Sequence, residues 1–525
     1  MATELAPLLI GGEWRAARAT GHFRAFDPTR GEAMGEAFPI SDAEDIEAAL
    51  RAATEVAPAL ASAAPESIAA FLEGYAAGIE AEAESLVACA SRETALPAPT
   101  RLAGNELPRT VGQLRRAAEA VRARSWTMPV IDTAAGLRSS LGPLGKPVLV
   151  FGPNNFPLAF HAVAGSDFAS AIAARNPVIA KGHPNHPATG LALARIAHRA
   201  LLAAGLPAAS VQLLHHFEAD AGLALCADAR LGAIGFTGSR AAGLALKAAA
   251  DRSGIAFFGE LSAINPVLLL PGALAGKAKE LAREYAASCL LGSGQFCTNP
   301  GLVIVPEGAD GDAFVAAAAE HFSSAPPALV FSESVLAGLE RGVSILRGAG
   351  ANLIAGAAQR EGPGFRFAPG LFETRAAQFL KAPQALQTEA FGPVGLIVRS
   401  PDIDATLAML EQLEGSLTGT VYSTDGDAAQ AQRAAAALRP RVGRLIANRM
   451  PTGVAVSAAM NHGGPFPSTT ACGYTSVGMP GSIRRFAALQ CWDHAPDAWL
   501  PDELSDANPH RAWRSVDGVP QNGPL

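Results

Sequence analysis

KPVLVFGP at 146–153, NPVIAKGHP at 176–184, SVQLLHH at 210–216, LGAIGFTGS at 231–239, IAFFGEL at 255–261 and NPVLLLP at 265–271 are six short apolar runs separated mostly by helix-length segments. Apolar runs without polar alternation, closed by Gly and Pro, predict strands buried on both faces, and their alternation with helical segments predicts βαβ units around a parallel sheet. Beyond residue 277 a helical run leads to Cys297. After it, GLVIVPEG at 301–308, GPVGLIVRS at 392–400, LTGTVYSTD at 417–425 and GRLIAN at 443–448 predict the strands of a second α/β region. Cys297 therefore stands near a junction of two α/β units, where strand ends and helix starts converge on a cleft.

The amino-terminal third is helical in pattern. Ser41-Asp42-Ala43-Glu44 reads as a capping box opening an Ala-rich helix, and a further helical run covers 66–91. From about residue 497 Pro, Asp, Asn and Gly replace periodic apolar residues, which predicts an irregular surface tail. At 525 residues, 49% hydrophobic and 17% charged, the chain has the composition of a multi-domain globular protein. Its net charge of −7, with Lys and Arg scattered, argues against a nucleic-acid partner. The most apolar long run, 160–180, is broken by Asp167 and Arg175, so no membrane span is expected, and with no secretory signal in the first residues the cytoplasm is the expected address. Six cysteines show no C-x-x-C and no Cys/His ligand spacing, so neither disulfides nor a metal site is expected.

Cys297 lies in Gly294-Gln295-Phe296-Cys297-Thr298, a small and polar setting unlike that of a core thiol. As a thiolate it attacks electrophilic carbon, provided a base and an oxyanion donor are near. Glu260 ends the apolar run 255–259, where a carboxylate needs either an ion-pair partner or employment as a base with a raised pKa. Gly152-Pro153-Asn154-Asn155-Phe156-Pro157 follows a strand and forms a rigid turn; its amides serve turn geometry, or donate to an oxyanion. Thr237-Gly238-Ser239-Arg240-Ala241-Ala242-Gly243 joins a strand to a helix, an arrangement that offers free N–H groups to a phosphate, although it is neither G-x-G-x-x-G nor a P-loop, since Leu244 stands where that motif needs Lys.

Together these elements resemble the aldehyde dehydrogenase superfamily, from IGGEW at 10–14 to Pro465-Phe466. The resemblance implies an α/β aldehyde dehydrogenase-like fold, with two Rossmann-like α/β domains plus a small β oligomerisation arm. Residues 1–122 and 143–258 would form the cofactor-binding domain, 259–450 the catalytic domain, and 123–142 with 470–525 the arm and carboxy-terminal tail of a homodimer or homotetramer. It further implies Cys297 as nucleophile, Glu260 as general base and Asn155 as oxyanion donor. Gly238, Ser239 and Gly243 match the diphosphate turn, Lys181 the adenosine ribose contact, and Glu389 and Phe391 in TEAFGPV the nicotinamide ribose pair. The reaction implied is oxidation of an aldehyde to an acid through a thiohemiacetal and a thioester, with NAD(P) and without metal.

Departures from the family pattern narrow the expectation. Asn154 stands where many relatives have Trp, and FFGELSAINP at 257–266 replaces the usual ELGGK-type run. Pro184, three residues after Lys181, takes a place where NAD-preferring relatives often carry Glu; lacking a carboxylate that would repel a 2′-phosphate, the site favours NADP and permits NAD. With QFCTNPG, GGPFPST and WLPDEL, these features look like the subgroup of α-ketoglutarate semialdehyde dehydrogenases and an NADP-dependent fatty-aldehyde dehydrogenase. A short acidic semialdehyde would need a cation, for which the segment with Arg109, Gln113 and Arg116 is the candidate; Phe156 and Phe466 are further candidate substrate contacts. Glu260 argues against a CoA-acylating relative, and retention of Cys297, Glu260 and Asn155 argues against a non-catalytic binding protein on the same scaffold.

Overall fold

The computed structural model describes residues 4–359 and 362–525. The first sheet is built from the runs that open the sequence reading. In space the order is Ala256–Glu260, Ala233–Thr237, Val148–Phe151, Val178–Lys181 and Val211–Leu214, all parallel, and the antiparallel pair Leu8–Ile10 and Glu13–Arg15 extends its edge. Val148–Phe151 and Val211–Leu214 are buried throughout, as strands covered on both faces must be. The chain runs outward from Val148–Phe151 to one side, then returns to add Ala233–Thr237 and Ala256–Glu260 on the other. That reversal is a topological switch point, and the loops leaving Phe151 and Thr237 open a crevice beyond the strand ends.

Only six residues separate Glu260 from Val267–Leu269, the first strand of the second sheet. This sheet runs Asn352–Gly356, Gly370–Arg375, Val394–Ser400, Leu302–Pro306, Val267–Leu269, Ser416–Tyr422 and Val442–Ala447, parallel except for the Asn352–Gly356 edge. The fold is thus two Rossmann-like α/β units. The cleft is lined by the ends of Val148–Phe151, Val178–Lys181, Ala233–Thr237 and Ala256–Glu260 and by the segment carrying Cys297.

A third sheet, with order Ala487–Asp493, Leu137–Pro143, Val130–Asp132, Arg514–Val516 and Val519–Gln521, forms a small β arm. It corrects the reading of the tail as irregular. Arg514–Val516 pairs in parallel with Val130–Asp132 and turns through Asp517-Gly518, both at positive φ, into Val519–Gln521. Asp-Gly between two short strands is a hairpin signal.

Near the amino terminus the helix Ala43–Ala61 is capped by Asp42, whose side chain accepts from the Asp45 N–H, and not by a Ser41–Glu44 box; Glu44 instead pairs with Arg18. The helical run at 66–91 divides into Pro65–Ala81 and Ala83–Thr94. A π-helical stretch, Ala98–Glu106, then leads directly into the helix Leu107–Ala123. No helix among the described residues is long and apolar enough to cross a membrane.

Candidate active site

Cys297 follows the helix Ala278–Leu290 through a tight turn in which Gly292 and Gly294 have positive φ; a Cβ at Gly294 would overlap the Gly392 carbonyl. Asn299 Nδ2 donates to the carbonyls of Cys289 (2.9 Å) and Gly294 (2.7 Å), and Asn265 Nδ2 donates to the Cys297 carbonyl (2.8 Å). These side-chain amides hold the turn where no regular ladder does. Glu260 enters from the end of its strand, and Asn155 from the loop after Phe151. Asn155 Nδ2 donates to the Gln295 carbonyl at 3.0 Å, tying the amide loop to the cysteine loop.

The structure adds a residue the sequence reading missed. His462 Nε2 lies 3.4 Å from Cys297 Sγ and 3.1 Å from Glu260 Oε1, so one imidazole bridges thiol and carboxylate. Ser476 Oγ lies 3.1 Å from Glu260 Oε2 and 2.9 Å from the His462 carbonyl, and its single proton serves one of the two. His462 directly precedes the Gly463-Gly464-Pro465-Phe466 stretch used for the family match; a histidine beside that stretch was the available signal.

Burial alone would raise the Glu260 pKa, as the sequence reading expected. Attraction to His462 and hydrogen bonds from His462, Cys297 and Ser476 outweigh it, and the net direction is downward. The Cys297 thiol is pushed well up, first by burial and then by the Glu260 charge, with Arg109 opposing. The resting pair is therefore a thiol beside a carboxylate, and forming the thiolate requires a proton acceptor within reach. His462 has that position in the tautomer protonated at Nδ1, and the Glu260 carboxylate, which the thiol also reaches, has it in the other.

One cleft of about 560 Å³ is lined by Asn155, Phe156, Glu260 and Cys297 together with Lys181, Gly238, Ser239, Glu389 and Phe391. Lys181 forms no ion pair among the described residues, and burial lowers its pKa to about 8. Its neighbour His183 also lines the cleft, where Nδ1 accepts from the Asn185 N–H at 3.1 Å and leaves Nε2 to carry the proton. Ser239 caps the helix Arg240–Asp251, and the unpaired N–H groups of that first turn suit a diphosphate. An unpartnered cation and a free helix start on one cleft wall fit a dinucleotide. Gly243 does not line the cleft: a Cβ there would collide with Leu261, so it serves close packing. Burial raises the Glu389 carboxyl to about 7 despite hydrogen bonds from Ser262 and Ala263. Arg240 is engaged by Glu414 at 2.6 Å, across to the second sheet's side.

The substrate candidates separate. Arg109 is nearly buried over the Phe156 and Phe160 rings, donates through Nη1 to the Val454 carbonyl (3.2 Å), and leaves Nε and Nη2 without partners. Burial lowers its pKa, with Cys297, Glu106 and Glu260 among the groups acting on it. Gln113 is buried with Nε2 donating to the Ala159 carbonyl (3.0 Å), a scaffold contact, and Arg116 donates to the Val456 carbonyl (2.7 Å). Phe466 is 63% exposed and lies outside the cleft lining.

Arg101, also missed, carries a second set of contacts. Its guanidinium lies over Phe156 (4.3 Å) and Phe296 (5.1 Å), donates through Nη2 to the Asn155 carbonyl (3.0 Å) and pairs through Nη1 with Glu106 (2.6 Å). Glu106 Oε1 in turn accepts from the N–H groups of Leu158 (2.8 Å) and Ala159 (3.0 Å).

Two Rossmann-like units with a thiol, a carboxylate and an amide at their shared cleft, and a dinucleotide-shaped continuation, define an α/β oxidoreductase of the cysteine-dependent kind. The aldehyde dehydrogenase family model matches residues 14–474, and the chain belongs to that family as an NAD(P)-dependent aldehyde dehydrogenase. It is 39% identical over 523 residues to alpha-ketoglutaric semialdehyde dehydrogenase 2 of Azospirillum brasilense, covering 97% of this chain and 98% of the relative. It is 34% identical over 521 residues to alpha-ketoglutaric semialdehyde dehydrogenase of Acinetobacter baylyi, covering 97% and 98%. Its fold matches the crystal structure of lactaldehyde dehydrogenase from Escherichia coli with a TM-score of 0.80 at 22% identity, covering 93% of this chain and 98% of that one.

Proposed function

We propose that this enzyme oxidises α-ketoglutarate semialdehyde (2,5-dioxopentanoate) to 2-oxoglutarate, with NADP as the favoured dinucleotide and NAD permitted. Arg109 is the observation that carries the substrate: its guanidinium, which interacts electrostatically with Cys297 although it is not part of the cleft lining, keeps two buried nitrogens without partners, and Glu106 and Glu260 offset its desolvation only in part. The substrate carboxylate completes the offset. The names of the two relatives support the same assignment. Lys181 without a carboxylate partner, beside His183 and with Pro184 in place of an acid, supports NADP.

In this reading the tautomer of His462 protonated at Nδ1 presents the Nε2 lone pair and takes the Cys297 proton as sulfur adds to the aldehyde carbon, and Glu260 stabilises the imidazolium so formed. The Asn155 amide and the Cys297 backbone N–H donate to the oxyanion, contacts typically worth about 3 kcal/mol each. A bound nicotinamide dinucleotide supplies the two-electron oxidant that turns the adduct into a thioester. The imidazolium passes its proton to solvent; Glu260, relayed through His462, then takes a proton from water as that water adds to the thioester, the acid leaves, and that proton returns to sulfur to restore the thiol.

The same reading takes residues 1–122 and 143–258 as the dinucleotide-binding domain and 259–450 as the catalytic domain. Residues 123–142 and 470–525 are the arm and tail joining a homodimer or homotetramer; exposed Leu489, Val519 and Val130 on the third sheet support such a contact. Six free cysteines support a cytoplasmic address. Aliphatic aldehydes are the second reading, favoured by the apolar cluster of Phe156, Phe160, Phe296, Val454, Val456 and Val477 around the cleft.

Absorbance of the reduced dinucleotide, recorded with acidic and aliphatic aldehydes, each cofactor and Cys297→Ala as control, tests the proposal. The acidic semialdehyde with NADP should give the highest kcat/KM. No reduction with any pair would remove the proposal, preference for aliphatic aldehydes would select the second reading, and a wide margin for NAD would overturn the assignment based on Pro184.

A further inference from the structure

Cys297 Sγ, His462 Nε2 and a Glu260 carboxylate oxygen lie within 4.8 Å of one another. Two of the three separations are 3.4 Å (Sγ to Nε2) and 3.1 Å (Nε2 to Oε1). A tetrahedral zinc with bonds of about 2.3 Å to sulfur and about 2.0–2.2 Å to nitrogen and oxygen places its donors about 3.3–3.6 Å apart. The measured separations match those edges to within a few tenths of an ångström. The donors are a thiol, an imidazole and a carboxylate, the mixed set that borderline-soft cations select, and Cys297 and Glu260 also line the open cleft, which leaves a fourth position accessible. No ligand spacing appears in the sequence because the three donors come from segments distant along the chain and meet only where the two α/β units face each other.

We propose that this triad is also a reversible binding site for zinc and similar divalent cations, and that occupancy switches the enzyme off by taking its nucleophile. The inference rests on the reading of Cys297 as that nucleophile. On binding, the Cys297 thiol releases its proton to solvent and a sulfur–metal bond forms. The His462 Nε2 lone pair and the Glu260 carboxylate complete three ligands, water fills the fourth position, and no electron is transferred. Ligation through Nε2 places the imidazole proton on Nδ1. A dication compensates two buried anions at once, Glu260 and the new thiolate, while the nearby Arg109 opposes it. Magnesium and calcium, which require six or more oxygen donors, do not fit.

The test uses the full-length chain freed of metal by a chelator. Addition of cobalt(II) should produce a thiolate-to-cobalt absorption band that is absent in Cys297→Ala and in wild-type protein alkylated with iodoacetamide. Equilibrium dialysis should find one zinc per chain, bound about tenfold or more weakly by His462→Ala. Zinc should inhibit turnover, EDTA should restore it, and magnesium should do neither. A missing cobalt–thiolate band, or His462→Ala binding zinc as tightly as wild type, overturns the inference. Metal binding is read without substrate, so an active enzyme that fails to bind defeats the metal site alone. A chain that binds cobalt but oxidises no aldehyde defeats the reading of the reaction.

Discussion

Arg101 and Arg109 stand on adjoining helical stretches and lie over the same Phe156 ring, yet their surroundings differ in kind. Arg101 is paired with Glu106, bonded to the Asn155 carbonyl and short of a partner only at Nε, whereas Arg109 has no ion pair among the described residues and keeps two buried nitrogens without partners. A buried charge that the protein satisfies can only hold geometry. One left unsatisfied is stabilised when a ligand of opposite charge arrives. The same contrast runs through the cleft, where Glu260 is engaged by His462 and Ser476 while Lys181 has no carboxylate partner among the described residues. In the proposed reading, paired charges hold the machinery and unpaired ones recognise ligands.

The strongest way to break this comparison is His462→Ala, which removes the partner of Glu260 and the proton acceptor for Cys297. The expected loss in kcat is about 10²- to 10⁴-fold for every aldehyde, with KM little changed. If turnover of acidic and aliphatic substrates fell by less than tenfold, His462 would be scaffold. Next comes Arg101→Met. Releasing Asn155 and the Phe156–Phe296 contact should lower kcat about 10²-fold without discriminating among substrates, as a small misplacement of an oxyanion donor does. A rise confined to the KM of acidic aldehydes would place Arg101 in recognition instead.

Arg109→Met should do the converse, raising KM for an acidic semialdehyde about 10- to 100-fold, the range for losing a charge-assisted pair, while an aliphatic aldehyde is unaffected. Steady-state kinetics on both substrates decides it. The smallest effect concerns Glu93, a carboxylate satisfied by hydrogen bonds alone. It accepts from the N–H groups of Ala188 (2.8 Å) and Thr189 (2.9 Å) and from Thr189 Oγ1 (2.6 Å) at the start of the helix Pro187–Ala203. Burial raises its pKa from 4.5 to about 7. A raised carboxyl contributes stability that is complete below the ordinary value and lost as pH climbs through the folded value, here between roughly 4.5 and 7. Calorimetry of wild type and Glu93→Gln should show wild-type Tm falling relative to the variant from pH 5 to pH 8. A constant difference would mean that Glu93 stays ionised throughout.

Much of the framework was legible because it is written locally. VLVF is apolar throughout, as a strand buried on both faces must be, and the five parallel strands of the first sheet lie inside their predicted runs, whereas Ser416–Tyr422 and Val442–Ala447 start one residue before theirs and Asn352–Gly356 and Gly370–Arg375 were not anticipated. The Asp517-Gly518 hairpin was equally local and was overlooked because its strands are only three residues long. The cap at Asp42 shows the limit of a motif: Ser41 is buried in a strand, and Glu44 has an arginine partner outside the helix. For the site, Cys297, Glu260 and Asn155 announced themselves by sitting in unusual local company. Phe466 and Gln113 did not reach the cleft because orientation depends on packing that no motif records.

What the sequence by itself determined is therefore the two α/β units, the family, and the identity of the cysteine, since strand burial, turn chemistry and motif order are properties of neighbouring residues. Only the tertiary structure decided that His462 bridges Cys297 and Glu260, that Arg101 clamps the loops bearing Asn155 and Cys297, and that Arg109 keeps two buried nitrogens without partners. The physical reason is that hydrogen bonding and desolvation are set by whatever groups the fold brings within a few ångströms. For this cleft those groups come from segments as far apart as residues 109 and 454.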